Sequence, residues 1–91
     1  MAVTKRWSAE IILDENDEQR YTRAEARLHT QDRTHLSGTG TARRRPADTE
    51  IPEIGDEIAA ARALFALGHE LLEAAAGDIE QVTDQPAELH S

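Results

Sequence analysis

The side chains able to do chemistry are four histidines, three serines, ten basic and eighteen acidic residues, with no cysteine among the 91. Lacking cysteine, the chain has no disulfide, thiolate nucleophile or thiolate metal ligand. His29, His35, His69 and His90 fall into no HExxH or other paired metal-ligand spacing. They read as surface or boundary residues, and no metal site is expected. Ser8, Ser37 and Ser91 lie in no GxSxG elbow. Gly38-Thr39-Gly40-Thr41 lacks the lysine and the following helix start of a phosphate loop. The carboxylates of Asp14-Glu15-Asn16-Asp17-Glu18 are solvated charges in a turn. No catalytic residue, cofactor or small-molecule substrate is expected, and the chain does not read as an enzyme.

The arginines carry the stronger signal. Arg23, Arg27 and Arg43, with Tyr21, His29 and His35, fall on one face of a sheet, and Arg44 and Arg45 extend it past a strand end. Guanidinium forks beside an aromatic ring grip phosphate and stack on bases. These five arginines are the candidate RNA- or ribosome-binding residues. Glu10 and Glu25 share the face, so a cross-strand Arg/Glu ladder competes with that use.

Overall charge argues against a general nucleic-acid binder. The formal net charge is −8 and the pI about 4.8, whereas that class carries a basic footprint. The charge is uneven: residues 1–45 sum to +2, residues 46–91 to −10. No apolar stretch is long enough for a membrane span or a leader, so a cytoplasmic protein without membrane contact is expected.

Three strands and a helix must position these groups. Residues 5–14 alternate, with Trp7, Ala9, Ile11 and Leu13 on one face and Ile12 out of pattern. A turn follows at 14–18. Residues 19–30 alternate next, placing Thr22, Ala24, Ala26 and Leu28 inward. Residues 34–43 place Leu36, Gly38, Gly40 and Ala42 inward, and the two glycines leave a groove where a helix backbone can approach closely. Pro46 and Pro52 make 44–53 a connection. From residue 54 the apolar positions Ile54, Ile58, Ala61, Leu64, Phe65, Gly68, Leu71, Leu72 and Ala75 recur at helical spacing. That helix should run about 22 residues to a cap or restart at Gly77-Asp78, where Ile79 and Val82 could add a last turn before Pro86 ends it.

The expected fold is α+β: a three-stranded antiparallel sheet with one long C-terminal helix packed on one face. Residues 1–83 form one domain and 84–91 a flexible acidic tail. The helix should cover Trp7, Ile11, Leu13 and Leu28, although its stripe could also meet a partner helix. Both sheet edges are open, and pairing with a second copy is the expected remedy.

Leu36-Ser37-Gly38-Thr39-Gly40-Thr41-Ala42-Arg43-Arg44, then Arg45-Pro46-Ala47-Asp48, and the run Ile51 to Leu64 resemble a family of small actinobacterial proteins of unknown function. Trp7, the acidic loop and Thr22-Arg23-Ala24-Glu25-Ala26 fit the same family, so the likeness spans roughly residues 5–80. The resemblance implies a double-stranded-RNA-binding-domain-like fold. It further implies a stress- and dormancy-associated, non-enzymatic role, with a dimer similar to ribosome hibernation factors. It brings no catalytic residues. The alternative expectation is a homodimeric protein–protein module that touches no nucleic acid.

Overall fold

Strand formation follows the alternation of side chains. In the computed structural model, which describes residues 2–31, 35–43, 52–84, 86, 87 and 89, β1 spans Ser8–Asn16, β2 Tyr21–His29 and β3 Ser37–Arg43. They form one antiparallel sheet in the order β1-β2-β3. Ile11 faces Ala26 across the first ladder, and Ala24 faces Gly40 across the second. The expected α+β fold is the observed one, with the long helix α1 at Pro52–Thr83.

The first turn lies at 17–20, later in the chain than the acidic run suggests. Glu15 and Asn16 remain paired with Thr22 and Tyr21. The Asn16 Oδ1 accepts the Gln19 amide at 2.9 Å, and Arg20 takes a left-handed φ of 55° to close the loop.

The glycines of β3 decide how the helix sits. A Cβ on Gly40 would lie 2.6 Å from the Ala59 carbonyl oxygen, and one on Gly38 would lie 2.6 Å from that of Ala63. Bare backbone on the sheet therefore meets bare backbone on the helix. Small residues fit such an approach, and Ala59 and Ala63 supply them at i and i+4, with Leu67 at i+8 filling the core beyond them. The core is that row over Ala24, Ala26, Leu28 and Ala42, flanked by Leu36 and Leu71.

Two expectations are corrected here. The buried row differs from the large-residue stripe, so Ile54, Ile58, Leu64 and Phe65 stay exposed. The helix rests on β2 and β3 and barely reaches β1, so Leu28 is covered while Trp7, Ile11 and Leu13 are not.

The helix also continues through Gly77 to Thr83. One glycine costs about 1 kcal/mol inside a helix, and Ile79-Glu80-Gln81-Val82 carry it on. Termination falls at Asp84, left-handed at φ 56°, whose amide donates to the Glu80 carbonyl at 2.8 Å. With 32 residues the helix is about 48 Å long, and β3 with seven residues is about 24 Å. Much of α1 therefore overhangs the sheet.

Candidate interaction surface

The outer sheet face carries the odd-numbered residues of β2 and β3 and the even-numbered residues of β1, since the buried alternates face the helix. Arg23, Arg27 and Arg43 all lie on it and are exposed. Arg44 and Arg45 lie outside the described residues. Each β2 arginine meets carboxylates. Arg23 stands opposite Asp14, and Arg27 stands opposite Glu10. The Arg27 Nε also donates to the Glu25 Oε1 at 2.7 Å. Arg43 stands opposite Tyr21 at the end of the sheet. Three guanidiniums thus share the face with three carboxylates, an arrangement closer to a cross-strand ladder than to a phosphate grip.

The two sheet edges differ. The Leu28 amide donates to the Leu36 carbonyl at 2.9 Å. The even residues of β2 therefore turn their backbone groups toward β3, and its odd residues turn theirs toward β1. It follows that Thr41, paired with Arg23, aims its carbonyl outward from the open side of β3. There the Arg62 Nη1 donates to it at 2.6 Å, covering part of that edge as edge strands require. On β1 the same alternation turns the backbone groups of Ala9, Ile11 and Leu13 outward. No strand lies beyond them among the described residues.

The helix-facing side of β1 extends this opening. Trp7 is 57% exposed, and Ile11 and Leu13 are also largely open. Arg62 leans over β3, so Leu64, about 100° to the other side of Ala63, leans toward β2 and β1. Phe65, 79% exposed, Ile58 and Ile54 are exposed on the back of the helix, roughly opposite Ala63. The sequence signal for this surface was the helix stripe itself, read as core because large apolar residues are normally buried.

Gly38 to Thr41 is strand under helix, not a phosphate loop. His69 lies on the helix, 3.8 Å from the Glu73 carboxylate. Asp56, near the helix start, has a buried Oδ1 without a hydrogen-bond partner among the described residues. Among those residues no group of three or more His, Asp or Glu side chains could hold a metal. No described helix is long and apolar enough to cross a membrane.

Comparison with known proteins places this geometry. The family model described as Rv2632c-like matches residues 5–88. The uncharacterized protein Mb1767 of Mycobacterium bovis is 47% identical over 87 residues, covering 96% of this chain and 89% of that one. The uncharacterized protein Rv2632c of Mycobacterium tuberculosis is 43% identical over 84 residues, covering 92% and 87%. The crystal structure of Rv2632c superimposes with a TM-score of 0.80 at 41% identity, covering 93% of this chain and 98% of that one.

Proposed function

The protein belongs to the Rv2632c-like family, and we propose that it acts without chemistry of its own, as a homodimeric interaction module. A second copy covers the apolar surface formed by β1 and the adjoining helix flank. One observation carries this reading: several of the large apolar side chains lie outside the core. The buried set is mostly alanine, and no large side chain is fully buried among the described residues, while Trp7, Ile11, Leu13 and Leu64 stay exposed on the β1 side. Exposed apolar patches of this kind mark association surfaces.

Sedimentation equilibrium tests the proposal. The wild-type chain should be dimeric at about 10 μM, a concentration well above a micromolar dissociation constant. The Ile11→Lys/Leu64→Glu variant should be monomeric with an unchanged circular dichroism spectrum. A wild-type chain still monomeric at about 100 μM would refute the reading.

A second reading rests on the β3 corner. Arg43 lies diagonal to Arg23 and opposite Tyr21, Arg62 lines the adjoining edge, and Arg44 and Arg45 follow in sequence. This corner is the place to grip phosphate, and with it RNA or the ribosome, in the stress- and dormancy-associated role that the resemblance implies. Sucrose-gradient sedimentation of a stationary-phase lysate, with and without mild RNase, tests it. The protein should travel with ribosomal particles, and an Arg43/Arg44/Arg45→Glu variant should not. Protein found only at the top of the gradient would eliminate this reading.

A further inference from the structure

The end of the sheet away from the arginine corner holds two histidines that neither functional reading uses. The β2–β3 register pairs Arg27 with Ser37, and the Leu28 amide to Leu36 carbonyl bond carries it one step further. His29 and His35 follow directly beyond that last bond, where the β2–β3 ladder ends. Both are exposed, His29 at the end of β2 and His35 in the segment before β3. They open on a hollow of about 310 Å³ lined by Arg27, Leu28, His29, His35, Leu36 and Ser37.

Two imidazoles lining one hollow, with water free to complete the shell, suit a borderline transition-metal dication better than a hard cation or an anion. The surrounding charge agrees. Arg27, the one cation among the described lining residues, is bonded to Glu25 and stands opposite Glu10. Its charge is thereby compensated, and it neither repels a dication nor remains available for an anion. Ser8, opposite His29 on β1, adds no charge. The geometry points to a two-histidine site for Zn²⁺ or a similar dication at His29 and His35, completed by water. The site lies on the opposite sheet face from the apolar surface, so it stands whether or not the chain dimerises.

The test is a titration of the intact chain with Zn²⁺, followed through the imidazole Cδ2 proton resonances. Those of His29 and His35 should move together, saturate at one ion per chain and return on addition of EDTA. His29→Ala and His35→Ala should each weaken binding by about tenfold or more, since even displaced supporting groups cost that much at metal sites. His69→Ala should change nothing. Both site histidines are exposed, so the variants should keep the wild-type circular dichroism spectrum. Zn²⁺ shifts that persist in a His29→Ala/His35→Ala variant would overturn the proposal. So would His29 and His35 resonances that respond to inorganic phosphate and not to Zn²⁺.

Discussion

Gly40→Ala tests the packing argument most directly. The added methyl would lie 2.5 Å from the Ala63 nitrogen, 2.6 Å from the Ala59 carbonyl oxygen and 2.6 Å from the Arg62 Cβ. Two of these atoms are helix backbone, so no side-chain rotation relieves them. Restoring ordinary van der Waals contact requires α1 to lift by roughly 0.8 Å. A gap of that order forfeits a quarter to a half of each affected dispersion contact along the Ala59-Ala63-Leu67 row. Overpacking of this kind costs about 1–3 kcal/mol, and backbone obstruction places Gly40 at the upper end. Removing a glycine from the unfolded chain returns about 0.4–1 kcal/mol. The expected net loss is about 2 kcal/mol, against a total of about 5–14 kcal/mol for a domain of this length. The melting temperature should fall by roughly 8–16 °C.

Urea and thermal unfolding monitored by circular dichroism give the answer, with protein concentration held fixed because association stabilises the folded state. Gly68→Ala is the internal control. It lies on the same helix, nothing stands within 4 Å of its added Cβ, and it should gain about 0.5–1 kcal/mol. A Gly40→Ala variant within about 0.5 kcal/mol of wild type, or a Gly68→Ala variant as damaged as Gly40→Ala, would refute the close-approach reasoning.

Two further substitutions probe burial. Leu67→Ala, at a position only 4% exposed, should lose about 2–5 kcal/mol in denaturant unfolding. Phe65→Ala, with the larger side chain but an open site, should change the stability of the dilute protein by no more than about 0.5 kcal/mol; the reverse order would mean that the helix face is misassigned. Asp56→Ala removes a carboxylate whose Oδ1 is buried without a partner among the described residues. The desolvation penalty it relieves, about 1–3 kcal/mol, exceeds the helix-dipole benefit it gives up, about 0.3–1 kcal/mol. Its thermal midpoint should therefore hold or rise, and a fall would show that the carboxylate is satisfied in solution.

Alternation in β2 and β3 was legible because each inward residue is small or apolar and each outward residue polar. Thr22, Ala24, Ala26 and Leu28, and Gly38, Gly40 and Ala42, occupy the faces their spacing requires. Strand order and the outward placement of Arg23, Arg27 and Arg43 follow from that alternation and from short connections. The glycine pair also announced a close helix approach. Its consequence was harder to read, because periodicity weighs residues by size and hydrophobicity, whereas a backbone-to-backbone contact selects by smallness. The helix therefore turns Ala59 and Ala63 inward and leaves Ile58 and Phe65 outside.

Amino-acid sequence by itself determined the order of the elements, the faces of β2 and β3 and the absence of thiol chemistry. These depend on local periodicity and residue type, which act within a few residues. Tertiary structure alone decided which strand the helix leaves bare, which edge Arg62 covers, and that the β2 arginines oppose acids of β1. Those outcomes depend on where a rigid 32-residue helix can come closest to a sheet. That place is β3, where Gly38 and Gly40 remove the side chains that would hold it away.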